Sequence, residues 1–84
     1  MSEPLQVIVG RNVRRIRVAR GYSQEAFADE VLGVHRTYAS RLERGITNLS
    51  LAALERLAKT LGVDPRILLS EDMTVEVRVT DGRE

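Results

Sequence analysis

The chain has 84 residues with a formal net charge of +1, and 43% of the residues are hydrophobic, which favours one globular domain over the disordered class. It contains no cysteine, which excludes disulfide bonds and thiolate metal sites. No apolar run approaches the roughly 20 residues of a membrane span, and the first ten residues lack the pattern of a secretory signal peptide. We therefore expect a cytoplasmic protein.

Two helices are predicted in the first third of the chain. The first covers about residues 5–20 and ends at Gly21, since glycine readily follows the last turn of a helix. The second covers about residues 24–31, with Ser23 as its N-cap. Their apolar residues recur at helical spacing. These are Val9, Val13 and Ile16 in the first helix and Phe27, Ala28 and Val31 in the second.

A third helix is predicted over about residues 35–44, between two glycines. One edge of this helix is apolar, with Val34, Ala39 and Leu42. The opposite edge carries several long hydrogen-bond donors and the single histidine of the chain. A helix that only covers a core does not need such side chains, so this edge is a candidate binding face.

Two further helices and a change of pattern follow. Ser50 and Gly62 bound a fourth helix with a regular leucine stripe, and Asp64 and Pro65 begin a short fifth helix. In residues 74–80, valines alternate with polar residues, which is the periodicity of a strand. A single strand has no partner in a helical domain. The segment is therefore either a flexible tail or a strand that pairs with a second subunit.

The second and third predicted helices, with a short turn between them, form a helix-turn-helix candidate. Such a motif places its second helix in the major groove of DNA, where the first residues reach base edges. The charge distribution agrees with this hypothesis. Eight arginines and four acidic residues lie between residues 11 and 48, whereas three arginines and six acidic residues lie between residues 64 and 84. Nothing in the sequence points to an enzyme, a metal site or a cofactor.

From about Val9 to Leu69 the chain resembles the Cro/repressor-type helix-turn-helix family, also called Xre-like. The matching segments are VGRNVRRIRVARGYSQEAFA, GVHRTYASRLERG and NLSLAALERLAKTLGV. The run RTYAS.LERG..NLSL and the short length are similar to controller proteins of restriction–modification systems. The resemblance implies an all-α, compact five-helix lambda-repressor-like DNA-binding domain. This single domain would cover residues 1–84, with a helical core of about 5–70 and a C-terminal extension of 71–84.

The resemblance also implies roles for individual residues. The base-reading positions of the family match His35, Arg36, Thr37, Ser40 and Arg41. Positions near the sugar-phosphate backbone match Gln24, Tyr38, Arg44, Thr47 and Asn48. Arg17 and Glu43 match a pair that forms a salt bridge between the first helix and the end of the third. From the apolar content of the fifth helix and the strand pattern, we expect a dimer surface at Ile67, Leu68, Leu69, Val75, Val77 and Val79.

One departure from the family pattern lies in the second helix. Eleven residues, SQEAFADEVLG, run from Ser23 to Gly33, and the usual family spacing is one residue shorter, so Leu32 is in excess. The extra residue is expected either to lengthen the second helix or to widen the turn. Either outcome would rotate the third helix slightly in the groove.

Two hypotheses about function follow, from different classes. The first is a sequence-specific regulator of transcription that binds double-stranded DNA as a homodimer on a palindromic operator, with RNA polymerase or another protein as a further candidate partner. The second is a protein-interaction module, such as the antitoxin of a two-gene system, with the fifth helix or the C-terminal strand capturing a partner. A scaffold without DNA binding is a weaker third alternative.

Overall fold

The computed structural model describes residues 3–71, which contain helices and connecting turns and no strand. The helices are α1 (Leu5–Ala19), α2 (Gln24–Ala26), which continues directly as a π-helix (Phe27–Leu32), α3 (Arg36–Glu43), α4 (Leu51–Leu61) and α5 (Pro65–Leu68). The prediction of an all-α fold with five helices is confirmed. The segment predicted as a strand, with Val75, Val77 and Val79, lies outside the described residues. Within residues 3–71, no helix is long and apolar enough to cross a membrane.

Three of the helices begin at the side-chain caps that the sequence predicts. The Ser23 and Ser50 hydroxyls accept hydrogen bonds from amides three residues further on, at 3.1 and 3.0 Å. The Asp64 carboxylate accepts one from the amide two residues further on, at 2.8 Å. Each cap satisfies a backbone donor that has no partner inside its helix.

The core is one cluster to which α1, the π-helix, α3, α4 and α5 each contribute at least one buried side chain. Phe27, at 0% exposure, lies at its centre together with the apolar stripe of α1. Leu68 is also fully buried, so its assignment to a dimer surface is wrong, because it has no area left to offer a second molecule. The buried members of the cluster are Val9, Val13, Ile16, Phe27, Leu42, Leu54, Ala58, Leu61 and Leu68.

The extra residue of the second helix is accommodated inside that helix. Phe27–Leu32 is π-helical, and a π turn closes its hydrogen bond over one more residue than an α turn does. Gly33 ends the helix in the left-handed conformation, with φ of 67°. Its N–H and that of Val34 both donate to the Ala28 carbonyl. The second helix is therefore longer than predicted, while the turn before α3 stays at three residues.

α1 and the end of α3 approach each other closely because glycines lie at the contact. Gly10 is buried in α1, and a Cβ there would lie 2.8 Å from the Glu43 carbonyl oxygen. Gly45 follows α3 with φ of 76°, and a Cβ there would lie 2.7 Å from the Cα of Val7. The Gln6 amide also donates to the Gly45 carbonyl at 3.0 Å. The C-terminal end of α3 is therefore positioned by α1.

A buried asparagine on α1 holds α5 in place. Asn12 is 0% exposed, and its Nδ2 donates to the carbonyls of Leu68 at 2.9 Å and Ser70 at 2.7 Å, with that of Ile67 at 3.3 Å. These contacts satisfy carbonyls at the end of α5 that lack helical partners. The first helix thus positions both α3 and α5.

Candidate nucleic-acid interface

The outward face of α3 carries an unbroken stripe of polar side chains. Positions i, i+1, i+4, i+5 and i+8 lie on one side of a helix. Those positions are occupied by Arg36, Thr37, Ser40, Arg41 and Arg44. Ser40 is half-buried and the other four are exposed. On the opposite side, Ala39 and Leu42 are 1% and 2% exposed. α3 therefore combines one buried edge with one edge of hydrogen-bonding side chains.

The guanidinium groups of this stripe are not neutralised by carboxylates. Arg36 and Arg41 form no ion pair within residues 3–71, whereas Arg11, Arg17 and Arg66 each have one. Unpaired guanidinium groups can donate two parallel hydrogen bonds to a phosphate or to guanine. The stripe therefore has the chemistry of a surface that contacts DNA.

His35 lies at the N-terminal end of this stripe and is the N-cap of α3. Its backbone is extended, with φ of −69° and ψ of 148°, and its Nδ1 accepts a hydrogen bond from the Thr37 N–H at 3.0 Å. The helix was predicted to begin at His35 and begins one residue later. The side chain is exposed, so its ring can cap the helix and still face a ligand.

A buried ion pair fixes the other end of α3. Arg17 Nε lies 2.6 Å from Glu43 Oε2, and Nη2 lies 3.1 Å from Oε1. The Gln24 amide donates to the same Oε1 at 3.1 Å, and Arg17 Nη1 donates to the Tyr22 carbonyl at 2.9 Å. The Arg17 and Glu43 side chains are only 11% and 3% exposed. This network joins α1, the start of the second helix and the end of α3.

The other residues that we expect near the sugar-phosphate backbone of DNA divide into two groups. Tyr38 is 39% exposed, and Asn48 and Arg44 are also on the surface; Arg44 Nε lies 3.4 Å from the Ser40 carbonyl. The Thr47 hydroxyl is buried, with no hydrogen-bond partner within residues 3–71. The hydroxyl of Thr47 is therefore not offered to solvent, while the expected place of this residue near the sugar-phosphate backbone of DNA stays a prediction.

Acidic side chains flank the start of α3. A cleft of about 540 Å³ separates the second helix from α3. Its charged lining residues are Glu25, Asp29 and Glu30 on one side and Arg36 on the other, next to His35. Negative charge on the second helix therefore lies directly beside the first turn of α3. Residues 3–71 contain no cluster of His, Asp or Glu that could hold a metal ion.

Three residues that hold α1 against α3 and α5 were not predicted from the sequence, although two of them left a signal. Gly10 is a glycine inside a helical pattern, which often marks a close approach of another element. Asn12 is a polar residue on the apolar stripe of α1, which indicates a buried group that needs hydrogen bonds. Gln6 left no signal beyond its place at the start of the same helix.

Comparison with known proteins agrees with this geometry. Residues 13–68 match the family model described as helix-turn-helix. The control protein C.BamHI from Bacillus amyloliquefaciens is 43% identical over 70 residues, which are 82% of this chain and 85% of that protein.

Comparison with solved structures also finds similarity to controller proteins. The restriction-modification controller protein C.AhdI from Aeromonas hydrophila shares 40% sequence identity, with a TM-score of 0.62 over 75% of this chain and 94% of that chain. The C.Esp1396I controller protein, solved as a tetramer in complex with its natural 35-base-pair operator, shares 27% identity, with a TM-score of 0.63 over 92% and 95%. The chain therefore belongs to the Xre-like helix-turn-helix family of DNA-binding transcriptional regulators.

Proposed function

We propose that the protein binds a palindromic operator as a homodimer, with α3 of each subunit in the major groove. The observation that carries this proposal is the α3 stripe, in which Arg36 and Arg41 are exposed and without ion-pair partners among residues 3–71. The major groove is wide enough to admit a helix, and each base pair presents a distinct hydrogen-bonding pattern there. A helix with this outward face can therefore read sequence.

The side chains of the stripe have different tasks in this proposal. Arg36 and Arg41 contact base edges, because a guanidinium can donate to the O6 and N7 atoms of one guanine. Thr37 and Ser40 add shorter contacts beside them. Arg44, at the far end of the helix, contacts phosphates. Phosphate contacts fix the position of a protein on the duplex, whereas base contacts carry the sequence preference.

The proposed dimer follows from the small size of one interface. A single recognition helix covers only a few base pairs, so two helices about 34–36 Å apart are needed to read two half-sites one helical turn apart. Ile67 and Leu69 are half-buried in the monomer. Leu69 lines an apolar groove of about 280 Å³ together with Leu5 and Leu51, which are 61% and 83% exposed. This apolar area is our candidate for the dimer surface.

The similar proteins support the same assignment. C.Esp1396I is a tetramer on its operator, and C.AhdI is a controller protein of a restriction–modification system. We propose a comparable role for this chain, as a small regulator that controls a promoter through an operator. A weak dimer would make occupancy of that operator depend steeply on protein concentration.

Selection of bound sites from random DNA tests this proposal directly. We expect enriched sequences with two inverted half-sites whose centres are about 10 base pairs apart. Sedimentation of the free protein should show a dimer that weakens when Leu51 or Leu69 is replaced by Ser. Enrichment of a single unrepeated site, or of no sequence, would refute the palindromic dimer.

A further inference from the structure

One side of α1 lies against the C-terminal end of α3. The Gln6 amide donates to the Gly45 carbonyl at 3.0 Å, and a Cβ at Gly10 would lie 2.8 Å from the Glu43 carbonyl oxygen. Arg17 bonds the Glu43 carboxylate. Positions 6, 10 and 17 share one side of the helix because residues three or four apart are neighbours on its surface. These contacts therefore identify the side of α1 that faces α3.

Arg14 lies on the same side of α1. It follows Gly10 by four residues and precedes Arg17 by three, so it stands between them on the helix surface. Its side chain is exposed and forms no ion pair within residues 3–71. Val13, beside it in the chain, is buried in the core. Arg14 therefore lies on the solvent side of the contact between α1 and α3, as the outward stripe of α3 does.

We propose that Arg14 binds a phosphate of the DNA backbone and extends the interface from α3 to α1. This proposal rests on the proposed function, in which α3 lies in the major groove. The groove admits one helix, so α1 stays outside it, and a side chain beside the end of α3 meets the sugar-phosphate backbone. A guanidinium suits this ligand, since it can donate two parallel hydrogen bonds to a phosphate. Arg14 thus contributes affinity and orientation, and no base preference.

The C-terminal end of α3 needs positive charge if it is to lie beside a phosphate. The last turn of a helix carries a partial negative charge, and Glu43 adds a carboxylate. Arg17 neutralises that carboxylate in a buried ion pair, and Arg44 offers one exposed guanidinium. Arg14 supplies a second guanidinium from a different helix. Phosphate contacts from both helices fix the orientation of α3 on the duplex.

The alternative role of Arg14 is structural. A cation beside the last turn of a helix stabilises that helix through the same partial charge, without any DNA. Removing such a cation lowers the stability of the free protein, whereas removing a phosphate contact lowers the salt dependence of DNA binding. The two roles are therefore distinguished by measuring both quantities.

Arg15 provides the matched control. It is exposed on the same helix, but its side chain leaves α1 about 100° away from that of Arg14, on the side turned from α3. Arg14→Ala and Arg15→Ala change the net charge and the helix propensity equally. A difference between the two variants therefore reports the position of the guanidinium and not the total charge of the protein.

Dissociation constants of the full-length variants should be measured for the selected site and for unrelated DNA, at salt concentrations from about 50 to about 200 mM. We expect Arg14→Ala to weaken both DNAs alike, by about eightfold at about 0.1 M salt, and to reduce the slope of log affinity against log salt by about 0.9, the contribution of one phosphate contact. Arg15→Ala should keep the wild-type slope, and Arg14→Lys, which retains the charge, should keep most of it. Equal slopes for Arg14→Ala and Arg15→Ala would overturn the proposal.

Two further measurements assign the cause of a negative result. If urea denaturation shows that Arg14→Ala loses stability while its salt slope stays at the wild-type value, the guanidinium acts on α3 and not on DNA, and the proposal is overturned. Arg44→Ala tests the proposed function separately. A reduced slope for Arg44→Ala with an unchanged slope for Arg14→Ala refutes only the contact from α1. A wild-type protein that enriches no sequence refutes the placement of α3 in the groove.

Discussion

Arg17 on α1 is bonded to Glu43 at the end of α3 by two hydrogen bonds, of 2.6 and 3.1 Å, and the Glu43 side chain is only 3% exposed. A carboxylate removed from water in this way depends on its partners for stabilisation. Gln24 supplies a third donor at 3.1 Å. Because the pair connects the scaffold to the helix that we propose faces DNA, we expect it to affect stability and binding together.

Replacing Glu43 by Ala should lower the free energy of unfolding by about 3–5 kcal/mol, because the Arg17 charge is then left buried without its partner. Urea denaturation measures this change. The matched control is Glu3→Ala, which removes the partner of Arg11 in a pair whose side chains are 38% and 46% exposed. We expect the control to leave stability nearly unchanged. Similar small losses in both variants would contradict the structural role of the buried pair.

Replacing Gly10 by Ala should destabilise the protein and weaken DNA binding. Alanine normally favours a helix over glycine, but here a Cβ would lie 2.8 Å from the Glu43 carbonyl oxygen. The backbone of α3 must move to relieve that contact, at a cost of about 1–3 kcal/mol.

The control for this substitution is Gly21→Ala. Gly21 has φ of 81° but no heavy atom near its added Cβ, so this variant should lose stability through backbone strain and keep its DNA affinity when folded. Denaturation and gel-shift titration of both variants test the comparison. A more stable Gly10→Ala protein would show that α1 and α3 are not packed as closely as described.

Deleting Leu32 should convert the π-helix to an α-helix and leave the preferred DNA site unchanged. α3 is positioned at its far end by Arg17 and Gly10, and the three-residue turn before it is preserved. Site selection and circular dichroism on the deletion variant test this. Deletion of Val34, inside the turn, is the control and should abolish specific binding. A folded Leu32 deletion with a new preferred sequence would show instead that the extra residue sets the orientation of α3.

The stability contribution of Asp64 should depend on pH in the acidic range. Its hydrogen bonds with the Arg66 guanidinium and then with the Arg66 amide lower its pKa from 3.8 to about 2. The contribution is therefore complete above the unfolded-state pKa of 3.8 and is lost as the pH falls through about 2. Stability curves of wild type and Asp64→Asn should converge over that range. Curves that stay parallel down to the lowest pH would contradict the assignment.

Most of the fold could be predicted from the sequence because local signals agree with one another. Ser23, Ser50 and Asp64 begin helices as expected, and the apolar stripes identify the core. The π-helix could not be predicted, because the choice between a longer helix and a wider turn depends on how both ends are held. Leu68 was misassigned since an apolar residue on a short helix can face either the core or a partner.

The candidate interface could also be predicted only in part from the sequence. The two-sided pattern of α3 is visible in the sequence, because the spacing of residues determines which side chains lie on the same side of a helix. The buried position of the Thr47 hydroxyl is not visible in the sequence, since it depends on the loop after α3. The contacts of Gly10 and Asn12 join residues distant in sequence and require the packed structure.

In the function that we propose, α3 reads bases with Arg36 and Arg41 and contacts phosphates with Arg44. Affinities of the three Ala variants, for the selected site and for unrelated DNA over a series of salt concentrations, test it most directly. Arg36→Ala and Arg41→Ala should each weaken specific binding by about 1–3 kcal/mol and relax base preference. Arg44→Ala should weaken both DNAs alike and reduce the salt dependence. Operator binding equal to wild type in all three variants would contradict the placement of α3 in the groove.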